Sequence, residues 1–439
     1  MSTVKSIPAD FYSSFLSTAA KERKPSPIRS LFPLENTPGL ISLLAGKPNP
    51  TTFPLTSIQL TSRSPLNPGE VITTEVSGDV LAEGLQYGPT AGIPDLVNWV
   101  YGLQEIAHGR KKGEGWRVSI GAGSQDVIYK TVMALLNPGD PILVESPVYA
   151  GVLPMFAALH CDLIEVATDS DGISSQSLRS ILENWPSSKP KPKALYTVPY
   201  GGNPTGLTAT LERRREVLQL AHEHNFLILE DDPYYYLYYG DAARPPSYFA
   251  LELEEPAVGR VVRFDSLSKI LSAGIRIGFM SGPEPLMQAI DMHTAISHLQ
   301  TPSLTQTIAF SILNAWGYAG FQAHTAAVSQ LYRQKRDVFE AAMRNHLDGL
   351  AEWTSPQAGM FFWFKLLIGS GSDEGDSEGV IRTNAVERGV LALPGTVFLP
   401  DGRKTAYVRA SFSLLTPEEV DEALRRLKEV ILTARAEKA

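Results

Sequence analysis

An amine, two hydroxyls and a guanidinium stand close together in Asp265-Ser-Leu-Ser-Lys269 and Arg276. The surrounding stretch reads VVRFDSLSKILSAGIRIGF, with an apolar strand pattern at Val261 to Phe264, a turn at Ser272-Ala273-Gly274 and a second apolar strand after it. Lys269 thus lies between apolar segments, and a partly desolvated ammonium gives up its proton more readily, which makes it a usable nucleophile. Ser266, Ser268 and Arg276 are the groups that hold a phosphate ester: hydroxyl donors and a guanidinium fork. An amine beside a phosphate clamp points to pyridoxal phosphate held as a Schiff base. The alternative from this stretch alone is a strand, a loop with a surface lysine, and a salt-bridging arginine.

Four further segments carry candidate chemistry. Gly121-Ala-Gly-Ser-Gln125 falls between a strand and a helix, where backbone N–H groups attract an anion and Ser124 and Gln125 add side-chain donors. The alternative is an ordinary glycine turn. In Tyr196-Thr-Val-Pro-Tyr-Gly-Gly-Asn-Pro-Thr-Gly206, Asn203 precedes a proline and is held extended, so its amide can donate to a phenolate oxygen, or simply form an Asn-Pro turn. In Glu230-Asp-Asp-Pro-Tyr-Tyr, carboxylates end an apolar run, where they are costly unless paired. A carboxylate there, Asp231 above all, can keep a pyridine nitrogen protonated, with Tyr234 three residues on; a helix-capping aspartate is the alternative. Arg409 in YVRASFS has small or apolar neighbours and suits either bidentate capture of a carboxylate or a buried ion pair.

The elements that would position these residues alternate. From about Leu85, strand patterns (RVSIG, PILVES, CDLIEVATD, KALYTV, FLILED, RVVRFDS) are followed mostly by helical ones, and a helix starts near Ile93-Pro94. That alternation implies an α/β fold with a mostly parallel sheet covered by helices, and ligands at the carboxyl ends of its strands. Upstream, residues 10–30 read as an arm with a helical pattern broken at Lys24-Pro-Ser-Pro27. Leu40 to Leu44 reads as a short strand before a Gly/Pro/Asn loop, and TSRSPLNPGE at 61–70 as an exposed turn. From Pro302 to Arg344 the pattern is helical. Strands are then expected in AEWTSPQAGMFFWFKL, VLALPGTVF and AYVRASFS, with helices at VIRTNAVERG and at the C-terminus. GSGSDEGDSEG at 369–379 reads as a solvated acidic loop.

A chain of 439 residues exceeds one core, so two lobes are expected. A net charge of −8 argues against a nucleic-acid surface, and no apolar stretch approaches the ~20 residues that span a bilayer. The N-terminus lacks a signal-peptide apolar region. The single cysteine, Cys161, excludes an internal disulfide framework and reads as a small core residue; the expected compartment is the cytoplasm. The eight histidines show no metal-ligand spacing.

Taken together, PSPIR at 25–29, KPNP at 47–50, LQYGPTAGIP at 85–94, GSQ at 123–125, VPYGGNPTG at 198–206, EDDPYY at 230–235, DSLSK, GIRIGF, AGMFFW and VRASFS resemble the class I/II, fold-type I pyridoxal-phosphate aminotransferases. The resemblance covers nearly the whole chain and is strongest to the kynurenine/2-aminoadipate and aromatic branch. It implies a large cofactor domain over 51–325, a smaller α/β domain over 326–439, and an arm with the start of the small lobe over 1–50. It also implies a homodimer with sites at the subunit interface, acting on amino acids and 2-oxo acids. By position it makes Lys269 the cofactor lysine and proton carrier, Asp231 the partner of the pyridine nitrogen, and Tyr234 and Asn203 donors to the ring oxygen. Tyr149 would stack on the ring. Ser124, Gln125, Ser266, Ser268 and Arg276 would hold the phosphate, with Tyr87 reaching in from the neighbouring subunit. Arg409 would clamp the substrate carboxylate, Arg29 belongs to a closing arm, and Gly46 and Lys47 lie near the substrate.

Two departures bear on substrate choice. Many relatives read Gly-Gly-Leu where this chain has Ala45-Gly46-Lys47, and others have Asn, Thr or Gln within the segment that here is Tyr200-Gly201-Gly202. A lysine at 47 offers a cation to a distal carboxylate, so 2-aminoadipate is expected beside aromatic donors. A lyase or decarboxylase on the same fold is the competing enzyme class. A regulator would need a helix-turn-helix module before the cofactor domain, and only 40 residues precede ISLLAG.

Overall fold

The computed structural model describes residues 4–44, 46–370 and 373–437; Ala45 and residues 371–372, at the start of the expected acidic loop, lie outside. In chain order the main elements begin with strands β1 (Ser57–Arg63) and β2 (Val71–Ser77), helix α1 (Pro94–His108), β3 (Trp116–Gly121) and α2 (Ser124–Leu135). There follow β4 (Pro141–Ser146), β5 (Asp162–Asp169), β6 (Gly172–Ile173), β7 (Ala194–Thr197) and α3 (Leu211–His224). Next come β8 (Leu227–Asp231), β9 (Val261–Ser266), β10 (Gly278–Pro283), α4 (Glu284–Ser297) and α5 (Ser303–Leu347). The chain ends with β11 (Ala351–Trp353), β12 (Phe361–Leu366), β13 (Leu393–Pro394), β14 (Tyr407–Ser411) and α6 (Pro417–Ala436). No helix among the described residues is long and apolar enough to cross a membrane.

The chain divides into two compact units. The first comprises Met1–Gly139, Leu227–Pro233 and Ser247–His324. Its strands run β3-β10-β9-β8, with β8 and β9 parallel and β10 antiparallel to both its neighbours. Strand β8 (LILED) is buried along its whole length, as expected of an apolar run covered on both faces. Helix α1 starts on Pro94 and stops at Gly109, which takes a left-handed φ of 69°.

The second unit comprises Asp140–Phe226, Tyr234–Pro246 and Thr325–Ala439. It holds a run β7-β4-β5-β6, parallel except for β6, and a four-stranded antiparallel sheet β11-β12-β14-β13. Strand β12 alternates: Phe362, Phe364 and Leu366 enter a core with Phe339, Met343, Leu424, Leu427 and Ile431, while Phe361, Trp363 and Lys365 face the other way. Helix α6 begins with a capping box, Glu419 N–H to Thr416 Oγ1 and Thr416 N–H to Glu419 Oε2.

Several expectations fail, each for want of a partner that local pattern cannot supply. Leu40 to Leu44 pairs with no strand among the described residues, and Ile41 is 89% and Leu43 98% exposed. The segment expected as a turn at 61–70 is the end of β1 and the loop of a β1–β2 hairpin. The arm, by contrast, follows its broken helical pattern: short helices at Ala9–Ser14 and Thr18–Glu22, no helix over residues 24–27, and a further short helix at Arg29–Asn36. Of VLALPGTVF only Leu393–Pro394 joins the sheet. Helix α5 matches the long helical pattern but breaks at Gly317, whose φ of 61° no helix accommodates.

Candidate active site

In the first unit the candidate residues stand at the carboxyl ends of β3, β8 and β9. Asp231 and Ser266 are the last residues of β8 and β9, and Ser124 opens α2 three residues beyond the end of β3. Gly123 caps α2 without a side-chain acceptor and has a φ of 93°; any Cβ there would sit 2.3 Å from Arg276 Nη2. That space is filled instead by the guanidinium, which donates to Ala122 O (3.0 Å), Ser268 Oγ (3.2 Å) and Ala273 O (3.2 Å). Arg276 itself takes a left-handed φ of 51°, a strained backbone for a residue with a Cβ, and such strain concentrates where a side chain must be aimed. Arg276 forms no ion pair among the described residues, which removes the salt-bridge reading of this arginine. Ser268 N–H in turn donates to Ser266 Oγ (3.2 Å). The result is a cup of helix N–H groups, two hydroxyls and a guanidinium with no resident carboxylate bonded to that guanidinium, the donor set of a phosphate dianion.

Lys269 sits on the same loop. Leu267 and Ile270 are buried on either side of it and the turn is closed by Leu271 N–H to Leu267 O (2.8 Å), so Lys269 is half-buried rather than a free surface lysine. Gln125 is the second residue of α2. Asp126, one residue on, accepts from Ala122 N–H (2.9 Å) and from the buried Lys130 (2.5 Å), which secures the glycine turn from behind.

The three acidic residues at the end of β8 divide by the pleat. Glu230 and Asp232 project to one side, where Arg263 of β9 is wholly buried. Arg263 forms a fork on Asp265 (3.0 and 2.8 Å) and reaches Asp232 (2.7 Å) and Glu230 (3.3 Å). Burial lowers the guanidinium's affinity for its proton, but Asp265, Asp232 and Glu230 outweigh this and hold it well above its ordinary value. Gln104 adds a donor to Asp265 (3.0 Å), and Glu230 accepts from Tyr248 and Phe249 N–H (2.8 and 3.1 Å). Asp231, 3% exposed, is left on the opposite face, outside this network. Arg263, Asp232 and Asp265 were not singled out from the sequence; the signal was there in VVRFDS, where an arginine and an aspartate two apart share one face of a buried strand.

In the second unit Asn203, Tyr149, Tyr234 and Arg409 belong together. Arg409 Nη1 donates to Asn203 Oδ1 (2.9 Å), and the phenols of Tyr234 and Tyr149 are near enough to act on its charge. Burial pulls the arginine's pKa down, and those two phenols push it up. The guanidinium lies over the rings of Phe361 (4.2 Å) and Phe398 (5.1 Å), and no carboxylate pairs with it among the described residues. The buried ion pair considered from sequence is therefore absent, and an in-plane edge of Arg409 remains for a carboxylate. The Asn203 loop is seated by a backbone approach: a Cβ on Gly201 would fall 2.5 Å from Ala358 O. Glu145 helps hold the same loop, accepting from Thr197 Oγ1 (2.5 Å) and Val198 N–H (3.1 Å); burial pushes its carboxyl up against the lowering effect of those bonds.

Tyr87 is 54% exposed, Gly46 is exposed with open space at its Cα, and the side chain of Arg29 lies outside the described residues. Lys47 pairs with Glu35 (2.8 Å) and lies 5.0 Å over the Phe32 ring. Tyr200 does not present itself to a ligand. It is fully buried, bonds Pro245 O, carries Arg214 on its face at 3.9 Å and meets Tyr235 edge-on at 5.2 Å. Cys161 is half-buried, and burial pushes its thiol up to about 11, away from nucleophilic use.

Known proteins share this arrangement of sequence and fold. The profile of the family described as aminotransferase class I and II matches residues 82–427. The chain is 44% identical to aminotransferase tdiD of Emericella nidulans over 94% of each chain. It is 39% identical to the mitochondrial kynurenine/alpha-aminoadipate aminotransferase of Mus musculus, over 96% of this chain and 99% of that one. The crystal structure of aminotransferase Aro8 from Candida albicans superposes with a TM-score of 0.88 at 25% identity, covering 99% of both chains.

Proposed function

The chain belongs to the class I and II aminotransferases, and on that premise we propose its substrates and cofactor. It moves the amino group of an aromatic amino acid (phenylalanine, tyrosine, tryptophan or kynurenine) or of 2-aminoadipate to a 2-oxo acid such as 2-oxoglutarate, in a ping-pong cycle with pyridoxal 5′-phosphate. The observation that carries the reading is a half-buried amine, Lys269, on the loop that also builds a donor cup for a phosphate dianion. The glycine at 123, the uncapped N-terminus of α2 and Arg276 fit that phosphate.

When bound, the cofactor supplies an electron sink for the pair left at the substrate Cα. The residues do the rest. Lys269 would hold the cofactor at rest and, once displaced by the substrate amine, would be the base that carries the substrate Cα proton. Asp231 would keep a proton on the pyridine nitrogen, Asn203 and Tyr234 would donate to the ring oxygen, and Tyr149 would pack against the ring. Ser124, Gln125, Ser266, Ser268 and Arg276 hold the phosphate, and Tyr87, exposed on its own chain, serves the neighbouring subunit of a homodimer. Arg409 orients the α-carboxylate common to donors and acceptors.

The substrate class is supported by the kynurenine and alpha-aminoadipate named in the mouse relative. Lys47 is proposed to meet a distal carboxylate, in competition with Glu35. Because that pair is exposed, Lys47→Leu should change the ratio of kcat/KM for 2-aminoadipate to that for phenylalanine by less than about fivefold. The proposed compartment is the cytoplasm, and recovery of the native protein in the mitochondrial fraction of its cell would overturn that. The deciding experiment is a screen of amino donors against 2-oxoglutarate with the purified protein. A 2-oxo acid should appear in step with glutamate, fastest from aromatic donors and 2-aminoadipate. Carbon dioxide or an elimination product in its place would mean decarboxylation or lyase chemistry.

A further inference from the structure

The guanidinium of Arg409 is held by more than a hydrogen bond. Its carbon lies 4.2 Å from the centroid of Phe361 and 5.1 Å from that of Phe398. Among the described residues, only Nη1 is engaged by a polar partner, Asn203 Oδ1, and Nε is buried with no hydrogen-bond partner. A long side chain so lightly tied would ordinarily swing among rotamers. We propose that Phe361 and Phe398 are positioning residues for Arg409, which grip its guanidinium and set the plane in which a substrate carboxylate must approach. The inference rests on the reading of Arg409 as the carboxylate receptor.

Each ring is placed independently of the arginine. On the antiparallel β12–β14 pair, Trp363 stands opposite Arg409 and Phe361 opposite Ser411, so Phe361 and Arg409 are diagonal neighbours on one face. Tyr234 meets Phe361 edge-on, at 6.2 Å and 88°. Phe398 is fully buried at the end of the turn Gly395–Phe398, which follows the two-residue strand β13 paired with β14. Its carbonyl accepts from Val148 N–H (2.9 Å), and Trp363 meets its ring edge-on at 5.6 Å and 88°. Farther along the same loop, Arg403 forks onto Glu165 (2.8 and 2.7 Å). With aromatic faces supplying the contact, water is kept from the guanidinium plane and the in-plane N–H groups are left to a ligand. Such a grip acts on binding and orientation, and it acts alike on every substrate that carries an α-carboxylate.

The test compares Phe361→Leu, Phe398→Leu and Phe361→Tyr holoenzymes. It reads KM for phenylalanine and for 2-oxoglutarate, kcat at saturation, and calorimetric Kd for 3-phenylpropionate, a carboxylate that cannot react. Each leucine variant should raise both KM values and the Kd by about three- to thirtyfold, the range of a cation–π contact, with kcat changed less than about twofold. Phe361→Tyr keeps the ring and should stay within about twofold of wild type. Unchanged KM and Kd in the leucine variants would overturn the proposal, as would loss of kcat alone or a Phe361→Tyr variant as impaired as Phe361→Leu. Should Phe398→Leu not fold, the two variants at the partly exposed Phe361 decide. Arg409→Gln separates the two levels. If it raises neither KM, the carboxylate role of Arg409 fails; if it raises both while Phe361→Leu raises neither, only the grip fails.

Discussion

Asp231 and Arg263 are two buried charges on neighbouring strands whose substitution should have opposite consequences. Arg263 pairs with Glu230, Asp232 and Asp265 inside the first unit, and the strand pleat puts Asp231 on the other face of β8. Removing the cation leaves three buried carboxylates without it, so Arg263→Leu should cost about 3–5 kcal/mol of stability in denaturant unfolding, whatever the cofactor does. Asp231→Asn should behave in the opposite way. The melting temperature and bound cofactor should be retained while turnover falls by at least about tenfold, because the ring nitrogen loses its proton. An Asp231→Asn enzyme with undiminished kcat would make this carboxylate structural. At Lys269, substitution by alanine removes both tether and base, so turnover should fall by several orders of magnitude. Borohydride reduction of the wild type followed by peptide mass mapping should place the pyridoxyl group on Lys269; a label on another lysine would end the assignment.

Helices α2 and α4 carry a pH-sensitive contact. His293 of α4 meets Tyr129 of α2 edge-on and shares its surroundings with Lys130, Asp126, His298 and Arg23. Burial, with Arg23 and Lys130 beside it, pulls the imidazole from 6.5 down to about 4. A histidine depressed in the folded state stays neutral there while the unfolded chain takes up a proton. The stability it contributes is therefore present above pH 6.5 and is lost as pH falls towards about 4. The loss should be about 1–3 kcal/mol, reduced by the ring's partial exposure. Thermal melts of wild type and His293→Gln should converge at pH 7 and diverge below pH 6.5, the wild type losing more; parallel curves would remove His293 from the linkage.

At the scale of the molecule, the surface near the N-terminus is unusual. Ile28, Leu31, Leu34, Leu40, Ile41 and Leu43 are all exposed within one short stretch, the last two almost completely. A run of that size on a single chain fits a surface covered by another subunit. The purified protein should therefore elute with light-scattering mass of two chains, and Ile41→Asp with Leu43→Asp should shift it towards one. A wild-type monomer at micromolar concentration that still transaminates at full rate would refute the homodimer and the role given to Tyr87.

What the sequence alone determined was local. Lys269, Arg276, Ser124, Asn203 and Asp231 could be picked out because each stands near the junction of an apolar run and a turn, and strand–turn–helix alternation puts such junctions at the carboxyl ends of strands; Arg409 stood out as an arginine among small and apolar strand residues. The tertiary structure decided whatever depended on a partner distant in the chain. Which of Glu230, Asp231 and Asp232 faces Arg263 follows from the register of β8 on β9. Whether Arg409 meets a carboxylate or two phenyl rings follows from β12 and the loop after β13. Tyr200, expected near the substrate, is drawn inward by Arg214 and Tyr235. The Leu40–Leu44 run has the composition of a strand and, among the described residues, no ladder to join, while Thr61–Arg63, read with the turn that follows, ends β1 and pairs with β2. A strand exists only where a second one satisfies its backbone, and that pairing is a property of the folded chain.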